Sequence, residues 1–147
     1  MHIGRRRLTE LSREQSLRLL ASVSLGRLVF TYRALPAIRP VNHVLDGGDV
    51  IIRSHTGAAL FSAAGASQGV VVAYEADVID PGSHLGWSVV MTGIAHLVRS
   101  ADEVARYQQL LTPWVAGEMD QVIRICPEIV TGFSLDGDTG TSGAPGS

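Results

Sequence analysis

Short apolar runs alternate with turn residues along most of the chain, at intervals of about ten residues. Runs rich in β-branched and aromatic residues, accompanied by few helical stretches, are typical of a small antiparallel barrel. The predicted strands cover residues 27–33, 37–46, 50–54, 70–77, 87–98, 122–126 and 129–135.

A hairpin is predicted at Gly47-Gly48, because two glycines between strand-like runs suit a two-residue turn. Such a turn pairs Asp46 with Asp49 and, continued along the strands, places Asn42 opposite Arg53. Two polar residues would then face each other near the end of an otherwise apolar hairpin.

Three helices interrupt the strands. Apolar residues at helical spacing, preceded by a capping box of Ser12 and Gln15, predict the first helix over 13–23. Composition predicts a short helix over 57–64 and a third helix over 102–111.

Two residues inside predicted strands indicate irregular backbone. Pro40 cannot donate a ladder hydrogen bond, so it predicts an edge or a bulge where the backbone opens to something else. Gly93, within the longest predicted strand, allows a bulge or a bend.

The composition indicates one folded domain. Of the 147 residues, 46% are hydrophobic, which is enough to bury a core. We assign the domain to residues 8–135, with a flexible N-terminus over 1–7 and a disordered Gly/Ser-rich tail over 136–147.

Charge and cysteine content narrow the function classes. A net charge of -2 argues against nucleic acid as the main partner. All 12 basic residues are Arg, which excludes a Walker-A loop and a Schiff-base lysine. The one cysteine, Cys126, excludes an intrachain disulfide and fits a reducing cytoplasm. Because no apolar stretch has membrane-spanning length, we expect a cytoplasmic protein without a membrane partner.

A hydrolase motif and a metal site are rejected. Gly65–Gly69 formally matches G-x-S-x-G, but a helix precedes it and a strand follows, the reverse of the hydrolase elbow. The five histidines lack the spacing of metal ligands, so we predict no metal site.

The end of the hairpin combines groups that suit a phosphate. Arg53 and Ser54 are followed by His55-Thr56 and a predicted helix, and an arginine, two hydroxyls and a helix N-terminus together bind phosphate well. An ordinary solvated hairpin end is the alternative. Trp87 and Ser88 begin the longest strand, where the indole either caps the core or forms the wall of a pocket for a flat ring.

Two long segments carry a resemblance to a known family: GRLVFTYRALPAIRPVNHVLDGGDVIIRSHTGAAL and VVVAYEADVIDPGSHLGWSVVMTGIAHLV. They resemble the pyridoxamine 5'-phosphate oxidase-like superfamily, especially its small actinobacterial branch, which includes nitroimidazole-resistance-type proteins. The similarity extends from Leu11 to Leu135, and its most specific pieces are RPVNHV, IIRS and GWSVVMTG.

The resemblance implies a mostly β (α+β) fold, an antiparallel split β-barrel of about six strands with peripheral helices. It further implies an obligate homodimer with flavin at the two subunit interfaces. Carried over by position, the residues along the isoalloxazine ring are Arg39, Pro40, Val41, Asn42 and His43. Those at the ribityl-phosphate end are Arg53, Ser54, His55 and Thr56, and those from the second subunit are Trp87 and Ser88.

The resemblance also implies an FMN-dependent oxidoreductase that acts on a small organic molecule by hydride transfer. No residue is assigned as catalytic. His43 would lie near the ring by strand alternation, although lone histidines are usually structural. The chain ends in GFSL and a Gly/Ser tail, without the Arg/His segment that holds the substrate in true pyridoxamine phosphate oxidases, which argues against vitamin B6 oxidation.

Two alternatives stay open because Ala59 stands where family members often carry a Lys that reaches the phosphate. One is an F420-dependent reductase on the same fold, with Arg27, Arg33 and Arg53 as candidates for holding a polyanionic tail. The other is a non-enzymatic dimer that sequesters a cofactor.

Overall fold

The computed structural model describes residues 7–54, 57–61, 69–111 and 121–137. Within these ranges the chain forms seven strands and three helices. In chain order they are β1 (Arg7–Leu11), α1 (Arg13–Ala21), β2 (Leu25–Tyr32), β3 (Leu35–Asp46), β4 (Asp49–Arg53), α2 (Gly57–Phe61), β5 (Val70–Ile79), β6 (Gly86–Leu97), α3 (Ala101–Leu110) and β7 (Val122–Asp136).

Six of the strands close into a ring. Their order is β7-β4-β3-β2-β5-β6, and a further pairing of β6 with β7 joins the two ends of this series. All of the pairings are antiparallel. β1 lies outside the ring, where it pairs with the second half of β7. The predicted fold, mostly antiparallel β with few helices, is therefore confirmed.

Alternate residues of the ring strands point into one core. Leu28 of β2, Tyr74 of β5, Met91 of β6 and Ile125 of β7 are fully buried there, as the two-residue period of side chains along a strand requires. α1 packs against β7 and contributes Leu20 to the same core.

A smaller cluster lies on the outer side of the ring, between the sheet and α3. Ile51 of β4 and Val122 of β7 pack there against Tyr107 and Leu111. The Tyr107 hydroxyl also donates a hydrogen bond to Asp46, which ties α3 to the β3–β4 hairpin. α3 therefore covers only the part of the ring formed by β4 and its neighbours.

β1 is a strand that the sequence analysis does not predict. Residues Arg7–Leu11 are mostly exposed, so no buried alternation marks them, and they become a strand by pairing with β7. In that ladder Arg7 pairs with Asp136. β1 and β7 thus reach one residue beyond the predicted domain bounds, at Arg7 and at Asp136.

The two strands predicted over 122–126 and 129–135 form one continuous strand, β7. β6 pairs with it on both sides of a register shift: Gly93 pairs with Pro127 and Thr92 with Ile129, so Glu128 is an extra residue in β7. A Cβ at position 93 would collide with the carbonyl oxygen of Cys126. The predicted irregularity at Gly93 is confirmed, because only glycine allows this close approach.

The helices begin close to the predicted positions. α1 has the predicted capping box, in which Ser12 accepts from the Gln15 amide, but it ends at Ala21, two residues early. α2 is described over Gly57–Phe61, so the rest of the predicted helix, 62–64, lies outside the described residues. None of the described helices is long and apolar enough to cross a membrane.

Candidate functional site

The predicted hairpin forms around Gly47-Gly48. Both glycines adopt positive φ, of 60° and 89°, which suits a two-residue turn between antiparallel strands. Asp46 pairs with Asp49 as predicted, and the ladder continues as far as the pair of His43 and Ile52.

Beyond that pair, β3 and β4 separate. Asn42 pairs with Leu25 of β2, and Arg53 pairs with Val122 of β7. The ladder of β3 with β4 does not extend to Asn42 and Arg53, so their predicted pairing is wrong. We call the place where this ladder ends the β3–β4 cleft, with Asn42 on the β3 side and Arg53 on the β4 side.

The residues of β3 before the cleft, Leu35–Asn42, form a strand edge. They pair with β2 on one side, and among the described residues no strand pairs with their other side. Pro40 lies in this stretch, as its missing N–H predicts. Such an edge presents backbone N–H and C=O groups in a row, which suits the polar edge of a planar ligand.

Side chains alternate across this edge. Arg39 and Val41 lie on the core face of β3, whereas Pro40 and Asn42 lie on its outer face. Val41 packs against the core, while Arg39 is exposed, with its guanidinium 5.9 Å from the centroid of the Phe30 ring. The five residues carried over to the ring therefore cannot all present side chains to one ligand, and the backbone is the feature that they share.

Arg53 and Ser54 occupy the opposite wall of the cleft. Nη1 of Arg53 donates to the carbonyl oxygens of Leu111, at 2.9 Å, and Gln108, at 3.3 Å. These carbonyls belong to the last turn of α3, where the helix dipole favours a cation. Ser54 is buried, and its amide donates to the carbonyl oxygen of Gln121. The predicted partners His55 and Thr56 lie outside the described residues.

His43 has a structural position. Its Nε2 lies 2.8 Å from the carbonyl oxygen of Leu20, and its Nδ1 lies 2.6 Å from the hydroxyl of Tyr74. Burial lowers the pKa of His43 below its ordinary value, so the ring stays neutral. The residue is only 2% exposed, so its side chain lies among core residues in the single chain.

Trp87 and Ser88 lie on opposite faces of β6. Trp87 points inward, packs against the core and lines a cavity of about 490 Å³ together with Leu19 and Leu85. Ser88 points outward between Asp77 and Phe133 on the neighbouring strands. The indole therefore packs against the core, as one of the two alternatives predicted, and its place beside a flat ring stays a prediction.

One chain does not bring Trp87 to the β3–β4 cleft. Arg39 of β3 lies in one row across the sheet with Leu28 of β2, Tyr74 of β5 and Met91 of β6, because each is paired with the next. Met91 lies four residues from Trp87 along β6, which is about 13 Å. The structure thus brings together Arg39–Asn42, Arg53 and Ser54, and leaves Trp87 and Ser88 apart from them.

The arginines considered for a polyanionic tail do not converge. Arg27 lies on the outer face of the ring, where it forms ion pairs with Glu75 at 2.9 Å and Asp77 at 3.5 Å. Arg33 lies in the β2–β3 turn, over the Tyr32 ring.

Burial and the neighbouring carboxyl of Asp77 raise the pKa of Glu75 to about 7, although Arg27 opposes this shift.

The sequence patterns do not identify Tyr74, which contacts β3 beside the cleft from the core side. Its hydroxyl lies 3.3 Å from the carbonyl oxygen of Val41 and 2.6 Å from Nδ1 of His43. The available signal is one large aromatic residue that follows the aliphatic residues VVVA in the run VVVAYEAD. That signal marks a core position without showing what the hydroxyl touches.

Comparison with known proteins identifies the family. Residues 12–134 match the family described as pyridoxamine 5'-phosphate oxidase. The chain belongs to this family. An uncharacterized protein of Mycobacterium tuberculosis is 54% identical to it over 138 residues, which are 92% of this chain and 91% of the relative.

Solved structures of the pyridoxamine 5'-phosphate oxidase type share the fold. A Corynebacterium glutamicum protein provisionally described as a pyridoxamine 5'-phosphate oxidase is 36% identical, with a TM-score of 0.74, over 87% of this chain and 98% of its own. A protein of Mycobacterium smegmatis described as FAD-binding is 32% identical, with a TM-score of 0.65, over 88% of this chain and 100% of its own. Family membership thus agrees with the resemblance noted in the sequence.

Proposed function

We propose that this member of the pyridoxamine 5'-phosphate oxidase family binds a flavin nucleotide in the β3–β4 cleft. We further propose that it is a flavin-dependent oxidoreductase acting on a small organic molecule by hydride transfer. The observation that carries the proposal is the separation of β3 from β4, which leaves the Leu35–Asn42 edge beside Arg53 and Ser54.

The edge of β3 fits the ring of a flavin. The pyrimidine side of the isoalloxazine carries alternating hydrogen-bond donors and acceptors, which match the row of N–H and C=O groups on an edge strand. The His43 amide donates toward β2, and amides alternate between the two edges of a strand, so the open edge takes the N–H groups of the even-numbered residues. Pro40 lacks an N–H, and the amides of Ile38 and Asn42 are therefore the candidates for donation. When bound, a flavin supplies the site that accepts or gives the hydride, and the chain supplies its orientation.

The opposite wall fits a phosphate. Arg53 brings a guanidinium and Ser54 a hydroxyl to the same end of the cleft, and both groups form strong hydrogen bonds with phosphate oxygens. Ala59 packs against the core and adds no charge. The lack of a lysine there removes roughly 1.5–3 kcal/mol of binding free energy, about tenfold to a hundredfold in affinity. We therefore expect the phosphate to depend heavily on Arg53.

A homodimer completes the proposed site. The outer face of β5, β6 and β7 exposes Val71, Val90 and Ile129, an apolar surface that suits burial against a second copy. Ser88 and Asp77 lie on the same face, so the partner's copy of this surface would approach the ligand. This arrangement agrees with the separation of Ser88 from the cleft within one chain.

The same observations rank the alternative functions. An F420-dependent reductase needs a basic groove for the polyanionic tail, and Arg27 and Arg33 lie apart, with Arg27 engaged by Glu75 and Asp77. FMN is accordingly our first choice of ligand, and FAD is the second, because one relative with 32% identity is described as FAD-binding. A cofactor-sequestering dimer without turnover shares the site and differs only in activity.

The first experiment is a fluorescence titration of the purified, ligand-free protein with FMN, FAD and F420 in parallel. We expect FMN or FAD to bind with a dissociation constant in the micromolar range or below, about -8 kcal/mol. Binding weaker than about 100 μM for every ligand, roughly -5.5 kcal/mol, would overturn the proposal.

Anaerobic mixing of the flavin-loaded protein with NADH or NADPH then tests the chemistry. Bleaching of the visible flavin absorbance, followed by its return on addition of an electron acceptor, is the expected result. Tight flavin binding without bleaching by any donor tested would favour the sequestering dimer.

A further inference from the structure

A buried group of hydrogen bonds lies where β3 changes its partner strand. β3 pairs with β2 up to Asn42 and with β4 from His43 onward. The amide of His43 donates to the carbonyl oxygen of Ser24, 2.8 Å away, so the backbone is held at the changeover itself. The side chains of His43 and Tyr74 meet directly beneath this point, with ring centroids 5.1 Å apart.

Tyr74 reaches the changeover from β5 by lying across β2. A Cβ added to Gly26 of β2 would be 2.5 Å from the ring and hydroxyl atoms of Tyr74, so the ring occupies the space that a side chain at position 26 would need. The hydroxyl then contacts β3, at Nδ1 of His43 and at the carbonyl oxygen of Val41. A tyrosine on β5 can therefore touch β3 because the strand between them carries glycine.

The donors and acceptors of this group are fixed. The Leu20 carbonyl can only accept, so Nε2 of His43 carries the proton and Nδ1 accepts from the Tyr74 hydroxyl. Burial lowers the pKa of His43 and raises the pKa of Tyr74, so both side chains stay neutral around neutral pH. A neutral, fully buried pair of this kind gives a fixed geometry rather than a proton-transfer path to solvent.

We propose that Tyr74 is a positioning residue for the cleft: its hydroxyl, together with His43, fixes the backbone of residues 41–43 where β3 leaves β4. Residues before His43 pair with β2 and, among the described residues, with no strand on their other side. The Tyr74 hydroxyl donates to Nδ1 of His43 from the core side, which ties this stretch of β3 to β5. The effect on flavin binding rests on the proposed function, whereas the role of Tyr74 in holding the backbone of residues 41–43 does not.

Tyr74→Phe tests the inference because it deletes one hydroxyl and keeps the ring over Gly26. Val89→Ala is the matched control, since it removes buried methyl groups from the same core on β6, outside both peptides compared below. Hydrogen–deuterium exchange of a peptide spanning 38–44, compared with one spanning 122–130, measures whether the edge is held. A fluorescence titration with FMN measures whether holding it matters for binding.

We expect Tyr74→Phe to speed exchange in 38–44 about tenfold relative to 122–130 and to weaken FMN binding about tenfold. Val89→Ala is expected to change neither the exchange ratio nor the FMN affinity beyond what its fall in unfolding midpoint explains. Tyr74→Phe values equal to those of the control, or faster exchange with unchanged FMN affinity, would overturn the inference. If the unsubstituted protein binds no flavin, the proposed function fails, and the exchange ratio alone still decides whether Tyr74 holds the edge.

Discussion

Asn42 and Arg53 occupy the positions where the β3–β4 register would continue, yet Asn42 pairs with Leu25 on β2 and Arg53 pairs with Val122 on β7. The β3–β4 cleft begins where the ladder between these strands stops, while β4 keeps its pairing with β7. Arg53 is held on its wall by two carbonyl groups at the end of α3, so the guanidinium is oriented in the protein alone. Such preorganisation lowers the entropic cost of binding an anion.

We expect Arg53→Ala to weaken FMN binding about tenfold to a hundredfold, because a charge-assisted hydrogen bond to phosphate contributes roughly 1.5–3 kcal/mol. Riboflavin has the same ring without the phosphate, so its affinity is expected to stay unchanged. Fluorescence titrations of FMN and riboflavin, each with Arg53→Ala and with the unsubstituted protein, give the ratio of FMN to riboflavin affinity. The change in this ratio measures the phosphate contact.

Arg106→Ala serves as the control for this ratio. Arg106 forms an ion pair with Asp46, 2.7 Å away, on the same side of the hairpin, and the structure gives it no place in the cleft wall. Its removal is expected to leave the preference for FMN over riboflavin intact. Equal losses of FMN and riboflavin affinity in Arg53→Ala would contradict a phosphate contact and indicate that the end of α3 has rearranged.

Gly26→Ala is expected to destabilise the protein by about 1–3 kcal/mol, since the new Cβ would meet a buried, rigid ring. The clash lies at 2.5 Å from Tyr74, whose ring is completely buried. Urea unfolding of the single variants and of the double variant with Tyr74→Ala measures the coupling between the two positions. A cost for Gly26→Ala that is as large without the Tyr74 ring as with it would show that the glycine serves another purpose.

The fold could be predicted where the deciding contacts are local. Gly47-Gly48 determines the hairpin turn and the pairing of Asp46 with Asp49, and Gly93 marks the register shift in β6. β1 could not be predicted in this way, because Arg7–Leu11 has little apolar alternation and is a strand only through its pairing with β7. Pairing between distant segments is the information that local patterns lack.

The site was harder to predict for the same reason. The spacing of Arg53 and Ser54 after the hairpin points to a phosphate, but local patterns do not show that the β3–β4 ladder ends at His43 and Ile52. Alternation places His43 on the inner face of β3, yet it cannot tell whether a ligand or Tyr74 occupies the space beside it. Each missed contact joins residues whose separation in sequence hides their relation.

We expect Val71→Asp to abolish self-association through the outer face, because a buried, unpaired carboxylate at an apolar interface is strongly unfavourable. Val71 is 64% exposed on β5 in the single chain, which makes the substitution tolerable for folding. Sedimentation velocity measures the dimer, and FMN titration measures whether the site needs the partner. The expected result is a folded monomer that has lost flavin affinity.

Leu110→Asp is the matched control for that substitution, since Leu110 is 57% exposed on α3 and does not lie on the outer face of β5 and β6. It is expected to remain dimeric and to bind FMN normally. If Val71→Asp also remains a dimer, the interface lies elsewhere on the molecule.

Glu75 is expected to make stability depend on pH. Burial, and then the carboxyl of Asp77, raise the pKa of Glu75 from 4.5 to about 7 in the folded protein, against the opposing effect of Arg27. Between these two values the folded state binds more protons than the unfolded state, so this group stabilises the fold at low pH and loses that contribution as pH rises from 4.5 to 7.

Glu75→Gln removes the titration and keeps a neutral hydrogen-bonding side chain beside Asp77. As pH rises from 5 to 8, the unsubstituted protein loses the contribution of Glu75, and the variant does not. The free energy of unfolding of the variant, minus that of the unsubstituted protein, is therefore expected to increase with pH, with most of the increase complete by about pH 7.5. Urea unfolding across this range measures the difference, with Glu10→Gln on the exposed β1 as the same carboxyl-to-amide change at another site. A constant difference between Glu75→Gln and the unsubstituted protein would mean that Arg27 already neutralises the pair and keeps Glu75 ionised throughout.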